Sequence, residues 1–340
     1  MNCVVFPAEW YPQSGVLITW PHADTDWFDI LEEVTQCYVT FSKEILKRQK
    51  LIVVCPEEDE VVKHFTKEEQ KNLIISEQKS NDTWSRDHGA ISVFVNGIPT
   101  LLDFGFNGWG LKFAANYDNQ ITQHLFEQEE FKPDVQYESK LNFILEGGSI
   151  ESDGEGTLLT TSQCLLAPNR NQPMMQEELE EYLKKSLGAD RILWLNHGYL
   201  AGDDTDSHID TLARFCDKNT IAYVKCDDET EEHFDELKLM EKELKSFKTS
   251  EGKLYRLIPL PMADAVYHDG YRLPATYANF LIINGAVLIP AYASAKDETA
   301  KAQLQKAFPH HEIIGIDCRP LIKQHGSLHC VTMQLPKGFL

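Results

Sequence analysis

The sequence predicts an α/β fold of five similar units, forming one domain over residues 1–340, and three observations support this. An apolar run, a polar loop, a second apolar run and an amphipathic helical stretch recur in the same order. The polar loops return at a nearly constant spacing, and no Pro-, Gly- or Ser-rich linker divides the chain. An ordinary α+β chain with accidental regularity remains the alternative.

The spacing of chemically unusual residues in the polar loops defines the repeat. Asp87 and Glu146 are 59 residues apart, Glu146 and His208 are 62 apart, and His208 and Cys330 are 122 apart, about two units. A loop near Tyr267 falls in that gap, and "TWPHADTDW" precedes Asp87 by a similar distance. Units of about 62 residues are too small to bury their own cores. We therefore expect them to stack around a pseudo-symmetry axis, with these loops meeting at one end.

Individual elements follow from local patterns. Runs rich in β-branched and large apolar residues predict strands at "LIIS", "NFILEG", "RILWLN", "LYRLIPLP" and "EIIGID", and "AISVFVNG", "TLLTTSQCLL" and "NFLIINGAVLIP" are each a further strand-like run. Mixed apolar and charged positions predict surface helices at "ITQHLFEQEEF", "QPMMQEELEEYLKKSLG", "TEEHFDELKLMEKELKSF" and "KDETAKAQLQKAF". The Asp-Gly pair in "SDGEG" is typical of a hairpin turn.

Composition limits the class of partner. A formal charge of −21 without a basic cluster argues against nucleic acid or an anionic membrane surface, and favours a cationic partner or substrate. Eight cysteines without a C-x-x-C pair indicate reduced thiols and a cytoplasmic location. The N-terminal "MNCVVFPAEWYPQ" does not resemble a signal peptide, and no stretch approaches the roughly 18 apolar residues of a membrane helix.

The stretch "GDDTDSHID" predicts a site for a positive charge. Asp204, Asp206, His208 and Asp210 alternate, so an extended strand would present them on one face. A solvated turn remains the alternative. Trp84 in "NDTWSRD" offers a π-face to a cation, although Trp is more often core. A metal fits less well than an organic cation, because the stretch lacks the Gly and terminal Glu of a calcium loop and no second His stands at zincin spacing.

Convergence of the loops would bring together Asp87, Glu146, His208, Asp210 and Cys330. A thiol with an imidazole and carboxylates is the arrangement for nucleophilic catalysis on an electron-poor carbon. Glycines in "EGG" and "HGSLHC" would let backbone approach such a site closely. Each residue alone is weak evidence, since a lone Cys is usually inert packing.

Motifs along the whole chain resemble the agmatine deiminases, which belong with bacterial peptidylarginine deiminases to the guanidino-group-modifying superfamily. They are "EWYPQSGVLITWPHADTDW", "WSRDHG", "KFAANYDNQIT", "EGGSIESDGEGTLLTT", "GDDTDSHIDTLARF" and "LHCVTMQ". The resemblance implies a pentein, a five-fold pseudo-symmetric α/β propeller of ββαβ-like units around a central site. It also implies hydrolysis of agmatine to N-carbamoylputrescine and ammonia, a step of putrescine and polyamine synthesis, with no cofactor and no metal.

The same resemblance implies the roles of the site residues. Cys330 is the expected nucleophile, His208 the general acid and base, and Glu146 its partner. Asp87 and Asp210 are expected to clamp the guanidinium. Two further substrate contacts are predicted, Trp84 and Asp204. The expected partner is a small cationic guanidino substrate, neither nucleic acid nor a membrane, and an assembly of identical subunits is left open.

This chain departs from the family pattern beside the expected nucleophile. "QHGSLHCVTMQ" replaces a longer Gly run before the His-Cys pair and a "TQQ" after it, so the contacts of His325, Ser327 and Met333 with a substrate tail are in question. Deimination of arginine or peptidyl-arginine stays an alternative, and a metal-dependent hydrolase or a non-catalytic polyamine-binding protein is less favoured. None of the cations near the loops is predicted to clamp a carboxylate, namely Arg86, Arg214, Arg272 and Lys323.

Overall fold

The computed structural model describes residues 3–340, and its strands and helices alternate in an α/β arrangement. The strands are β1 (Val4–Val5), β2 (Gln13–Thr19), β3 (Lys50–Cys55), β4 (Leu73–Glu77), β5 (Ile91–Val95), β6 (Ile98–Gly105), β7 (Gln136–Ile144), β8 (Ile150–Ser152), β9 (Thr157–Thr161), β10 (Arg191–Leu195), β11 (Ala213–Asp217), β12 (Thr220–Lys225), β13 (Arg256–Pro261), β14 (Val266–His268), β15 (Tyr271–Leu273), β16 (Leu281–Ile283), β17 (Ala286–Ala291), β18 (Glu312–Asp317) and β19 (Met333–Pro336).

The helices differ greatly in length. They are α1 (Leu31–Leu46), α2 (Glu58–Val62), α3 (Ser85–His88), α4 (Gly108–Leu111), α5 (Ile121–Glu127), α6 (Ser162–Leu165), α7 (Gln176–Leu187), α8 (Phe234–Ser246), α9 (Lys296–Ala307) and α10 (Arg319–Ile322). Short 3₁₀ turns span Phe28–Ile30, Glu69–Asn72, Asp118–Gln120, Gly147–Ser149 and Ile209–Thr211. No helix within residues 3–340 is long and apolar enough to cross a lipid bilayer.

Five sheets in the described chain share one connection pattern. Each contains an antiparallel pair of strands, and a third strand runs parallel to the second strand of the pair. The chain reaches this third strand through one or more helices. The antiparallel pairs are β19–β2, β5–β6, β8–β9, β11–β12 and β16–β17, and the parallel partners are β3, β7, β10, β13 and β18. The last strand, β19, pairs with β2 from the N-terminal part of the chain, with Met333 opposite Leu17. A separate hairpin, β14–β15, lies outside this pattern.

Most predicted elements are confirmed. The five runs "LIIS", "NFILEG", "RILWLN", "LYRLIPLP" and "EIIGID" contribute to the parallel strands β4, β7, β10, β13 and β18. These strands lie at the edges of their sheets, and their β-branched and large apolar residues explain why the runs were recognisable. The four predicted helices are α5, α7, α8 and α9. The turn in "SDGEG" joins β8 to β9, as its Asp-Gly pair predicted.

Two strand predictions need correction. Within "TLLTTSQCLL" the strand ends at Thr161, whose hydroxyl accepts a hydrogen bond from the Cys164 amide at 3.3 Å and begins α6. "NFLIINGAVLIP" forms two strands rather than one, because Gly285 adopts a left-handed φ of 75° and reverses the chain between β16 and β17.

The connections between sheets carry the expected site residues. Asp87 lies in α3 just before β5, and Glu146 lies between β7 and β8. His208 precedes β11, and Cys330 precedes β19. Each residue therefore occupies the same place in a repeated unit, at the link leading into an antiparallel pair. Equivalent links can bring side chains that are far apart in sequence to one end of the sheets.

Candidate active site

A cavity of about 200 Å³ opens at the links between the sheets. Cys330 forms part of its wall, together with the aromatic side chains of Trp84, Trp109 and Phe113. Five carboxylates also line it, from Asp26, Asp82, Asp87, Asp203 and Asp204. Over the described residues, no Lys or Arg belongs to the lining. The cavity is therefore suited to a cation with an apolar portion.

The extended conformation expected for "GDDTDSHID" is wrong. Residues 202–208 form a loop in which Asp206 and Ser207 both have left-handed φ values, 67° and 64°, and the 3₁₀ turn Ile209–Thr211 follows. The loop disperses the alternating side chains. Asp206 pairs with Arg170 and Lys112 of the protein itself, at 2.7 and 3.0 Å, whereas Asp204 lines the cavity.

Asp87 is held by two N–H donors, one from the link between β7 and β8 and one from α4. The Gly148 amide donates to Oδ1 at 2.9 Å, and the Trp109 indole donates to Oδ2 at 3.0 Å. His208 Nδ1 lies 3.6 Å from Oδ1. Burial, together with the nearby carboxylate of Asp210, raises the pKa of Asp87 to about 6, against the opposing influence of His208 and Trp109. The carboxylate is thus oriented by donors from two separate parts of the chain.

Gly148 explains why "EGG" carries glycine. A Cβ at this position would lie 2.6 Å from His208 Nδ1, 2.7 Å from Asp87 Oδ1 and 3.2 Å from Asp210 Oδ2. No side chain fits between three groups at these distances. The close backbone approach expected from the sequence is confirmed, and it brings Asp87, His208 and Asp210 around one point.

The thiol of Cys330 lies between an amide and a carboxylate. Asn279 Nδ2 is 3.2 Å from Sγ, and Asp210 Oδ2 is 3.8 Å away. Burial and the negative charges of Asp210 and Asp87 raise the pKa of Cys330 well above its usual value. Without a bound cation, the group is therefore a neutral thiol at neutral pH.

His208 has one ring nitrogen available. Its Nε2 atom is buried and has no hydrogen-bond partner in the part of the chain that the structure describes. Burial opposes the charged form, but the Asp87 carboxylate and the neighbouring Cys164 thiol raise the pKa of His208 well above its usual value. The ring can therefore hold a proton inside the site.

Glu146 forms a buried ion pair that the sequence did not predict. Arg170 Nε donates to Oε1 at 3.0 Å and to Oε2 at 3.2 Å, and both side chains are fully buried. The same guanidinium donates to Asp206 Oδ2 and to the Thr205 carbonyl, at 2.7 and 2.9 Å. Arg170 therefore ties the Glu146 link to the loop that precedes His208.

Trp84 and Asp204, the further predicted substrate contacts, both line the cavity. The Trp84 ring centroid lies 5.7 Å from that of Trp27 and 6.2 Å from that of Trp109. Burial and the adjacent Asp203 raise the pKa of Asp204. His325 also lines the cavity, and its Nδ1 is 2.6 Å from the Gly202 carbonyl.

The cations considered in the sequence have partners elsewhere. Arg86 donates to the His329 carbonyl at 3.4 Å, and Arg214 pairs with Glu9 and Glu151. Arg272 and Lys323 pair with surface carboxylates, those of Glu231, Glu232 and Glu33.

Within the described residues, two buried groups have the ligand types of a metal site. Glu146, Cys164 and His208 form the first, but Arg170 already binds both oxygens of Glu146. Glu9, Glu151 and His329 form the second, where Arg214 occupies the same position between the two carboxylates. A third group, only partly buried, contains Glu231, Glu232 and His233, and Arg272 pairs with both glutamates. In each group a guanidinium of the protein already supplies positive charge.

Sequence reasoning missed Asn279, Trp109 and Arg170. Asn279 lies in "YANF" before β16 and Arg170 in "PNRN" after α6, and neither segment has a pattern that distinguishes it from an ordinary loop. Trp109 lies in "GWG", where its φ of 55° signals an unusual backbone only once the structure is known. All three act on side chains more than 20 positions away, to which they are linked by Asn279–Cys330, Trp109–Asp87 and Arg170–Glu146 hydrogen bonds.

Comparison with known proteins gives one consistent relationship. A family model described as Porphyromonas-type peptidyl-arginine deiminase matches residues 5–336. A Legionella pneumophila (strain Paris) protein, provisionally named an agmatine deiminase, is 34% identical over 339 residues, covering 98% of this chain and 95% of its own length.

Solved structures agree with this relationship. A Porphyromonas gingivalis protein, provisionally named an arginine deiminase, is 54% identical, with 99% of each chain covered and a TM-score of 0.96. C. jejuni agmatine deiminase with substrate bound is 41% identical, with 100% of this chain and 98% of that chain covered and a TM-score of 0.92. DDAH from Pseudomonas aeruginosa, at 11% identity and a TM-score of 0.53, shares the fold alone and relates it to the pentein-type α/β structures.

Proposed function

Because this chain belongs to the Porphyromonas-type peptidyl-arginine deiminase family, we propose that it hydrolyses agmatine to N-carbamoylputrescine and ammonia. One observation carries the proposal: the Cys330 thiol forms part of the wall of a cavity that is also lined by five aspartates. A guanidinium is planar, carries a full positive charge and presents five N–H donors, so carboxylates can hold it with its carbon beside the sulfur.

Asp210 and Asp87 are the proposed guanidinium clamp. Asp210 Oδ1 is buried and has no hydrogen-bond partner among residues 3–340, while its Oδ2 lies 3.8 Å from Cys330 Sγ. An N–H donor placed on Oδ1 would therefore bring a guanidinium carbon close to the thiol. Trp84 and Asp204 would contact the rest of the substrate from the cavity wall.

The proposed reaction balances with these groups and one water molecule. Cys330 thiolate forms an S–C bond to the guanidinium carbon, a C–N bond breaks, and His208 gives its proton to the departing ammonia. The remaining amidino-thioether is attacked by water, from which His208 takes a proton. The hydroxyl proton of the resulting adduct passes to the sulfur as the C–S bond breaks, which releases the urea product and restores the Cys330 thiol. Glu146 would act on His208 through the neighbouring charge that Arg170 orients.

Substrate binding would itself generate the nucleophile. Burial and two carboxylates raise the pKa of Cys330 in the free protein. A guanidinium between Asp87 and Asp210 neutralises that negative field and adds a positive charge, which lowers the pKa of the thiol. The thiolate would then form only when a cation is in place.

The charge of the cavity favours agmatine over arginine. Agmatine is a dication, whereas arginine also carries a carboxylate that needs a cationic partner in a poorly solvated site. Within the described lining, Asp203 and Asp204 face the cavity and no Lys or Arg does. We expect kcat/KM for agmatine to exceed that for arginine by at least about a hundredfold.

Deimination of arginine or peptidyl-arginine is the second candidate function. The family description and the provisional name of the 54% identical P. gingivalis protein favour it. It uses the same Cys330 chemistry and differs only in what contacts the substrate tail, where His325 lines the cavity, Ser327 is buried beside Tyr292, and Met333 is buried in β19.

The arrangement of the units and the cellular setting complete the proposal. Five sheets with one connection pattern support a five-fold pseudo-symmetric propeller around the site. The eight cysteines are all free thiols, which supports a cytoplasmic location. A small cationic guanidino compound is the proposed partner, and neither nucleic acid nor a membrane suits the charge of −21.

Ammonia release from agmatine, free arginine and an arginine-containing peptide, measured side by side, tests the proposal. Turnover of agmatine well above the other two is expected. Comparable turnover of arginine, or a preference for the peptide, would replace agmatine by the second candidate. Absence of ammonia with all three compounds would refute deimination.

A further inference from the structure

His329, the residue before Cys330, lies between two carboxylates. Its Nδ1 is 2.7 Å from Asp210 Oδ2 and its Nε2 is 2.7 Å from Glu9 Oε2. The His329 ring is 1% exposed, and the two carboxylates are buried with it. A neutral imidazole has only one N–H, whereas two carboxylates at these distances require two donors. The ring therefore fits this place as an imidazolium.

Glu9, the carboxylate that accepts from Nε2 of this imidazolium, is itself held in place by several donors. Its Oε1 accepts the Ile282 amide at 2.6 Å, and its other oxygen also pairs with Arg214. Arg214 is fully buried and pairs with Glu151 as well. Burial opposes ionisation, but Arg214 and His329 hold the pKa of Glu9 below its usual range. The carboxylate is therefore an ionised acceptor fixed on several sides.

Asp210 is oriented by Nδ1, the other ring nitrogen of His329. His329 binds Oδ2, which leaves Oδ1 as the oxygen without a partner among the described residues. Burial alone would favour the neutral acid, yet the His329 hydrogen bond and charge lower the pKa of Asp210. Arg86 lies close by, with its Nε donating to the His329 carbonyl at 3.4 Å.

We propose that His329 is a positioning residue for the guanidinium: its doubly protonated ring holds Asp210 through Oδ2 and keeps Oδ1 ready for a substrate N–H. The inference rests on the proposed function of the site. His329 reaches the substrate only through Asp210, so its loss should act on binding more than on the later chemical steps.

Two isosteric amides separate the two hydrogen bonds. In His329→Asn, the side-chain amide nitrogen falls near the place of Nδ1 and can still donate to Asp210. In His329→Gln, it falls near the place of Nε2 and donates to Glu9 instead. We expect KM for agmatine to rise about 30-fold in His329→Gln and less than about fivefold in His329→Asn, with kcat changing less than KM in both.

A matched control is His233→Gln, since His233 is equally buried, bonds Glu231 at 2.8 Å and does not line the cavity. It should leave KM within about twofold of wild type. Equal KM changes in the Asn and Gln variants of His329 would overturn the positioning role, because a purely structural residue does not discriminate between its two partners. Wild-type protein without deiminase activity would overturn both this inference and the proposed function.

A second measurement does not depend on the variants folding. Neutron diffraction from wild-type crystals should locate hydrogen on both Nδ1 and Nε2 of His329. Hydrogen on only one of these atoms would contradict the imidazolium and with it the proposal.

Discussion

Both carboxylate oxygens of Glu146 accept a hydrogen bond from Arg170 Nε, at 3.0 and 3.2 Å, in a pair with no solvent exposure. The pair joins two segments that are 24 residues apart in the sequence, and through Asp206 it also holds the loop before His208. A buried charge left without its partner is strongly destabilising, which makes Arg170 a test of how the site is held together.

We expect Arg170→Met to lower the free energy of unfolding by about 3–5 kcal/mol, measured by urea denaturation, because Glu146 is left as an unpaired buried charge. The control is Lys112→Met, which removes a partly exposed pair with Asp206 and should cost at most about 1 kcal/mol. Adding Glu146→Leu to the Arg170 variant should restore part of the loss. Equal stabilities of the Arg170 and Lys112 variants would show that the buried pair does not stabilise the fold.

Cys330→Ser should abolish turnover while agmatine still binds, because a hydroxyl without a strong base is a far weaker nucleophile than a thiolate. Binding can be followed by calorimetry, and an acid quench of the wild type should trap an adduct on Cys330 by mass spectrometry. Cys216→Ser is the matched control, since Cys216 is also buried but does not line the cavity. Residual activity above about a tenth of wild type would exclude Cys330 as nucleophile.

The pH dependence of kcat/KM should have an acidic limb near pH 6. Burial raises the pKa of Asp87 to about 6, so below that pH the group is protonated and cannot pair with a guanidinium. Trp109→Phe removes the N–H that favours the carboxylate, raises the pKa further and should move this limb upward by about 0.5–1 pH unit.

Trp194→Phe serves as the control for the pH experiment, because the Trp194 indole donates to Glu180, outside the cavity. It should leave the acidic limb in place. A limb that stays unchanged or moves to lower pH in Trp109→Phe would mean that Asp87 does not set it.

Exhaustive chelation should leave deiminase activity unchanged. In both buried groups of metal-ligand type, Arg170 or Arg214 already pairs with the carboxylates, and the substrate guanidinium would supply the remaining positive charge. Activity can be assayed after prolonged dialysis against a chelator and again after adding Zn²⁺ or Mn²⁺. Loss on dialysis with recovery on adding metal would favour a metal-dependent hydrolase.

Local sequence patterns were sufficient for most of the secondary structure. Apolar runs such as "EIIGID" and amphipathic runs such as "KDETAKAQLQKAF" predicted β18 and α9, because a strand or helix in this fold buries one face against its neighbours. The single-domain organisation stays a prediction. Boundaries failed where a side chain or turn ended an element early, as at Thr161 and Gly285.

The chemical content of the site was also readable. Spacing and residue type suggested five site residues, Asp87, Glu146, His208, Asp210 and Cys330. In the structure, Asp87, His208 and Asp210 surround Gly148, and Cys330 lies beside Asp210. Their roles stay predictions. The loop at "GDDTDSHID" was misread as a strand because alternation alone does not show that Asp206 pairs with Arg170.

Contacts between residues far apart in the sequence determine the partners of the site residues and the pairing of the sheets. His329 bonds Glu9, which is 320 residues away in the sequence, Asn279 bonds Cys330, which is 51 residues away, and β19 pairs with β2. Such partners produce no periodic pattern in the sequence, because a single Asn, Arg or Glu also occurs commonly in solvent-exposed loops. The residue types of "LHC" and "GDDTDSHID" already specify a site for a cation beside a thiol. Some of these carboxylates already accept hydrogen bonds from the protein's own donors, and only the others can bind the cation. Only the tertiary structure shows which carboxylates have such donors.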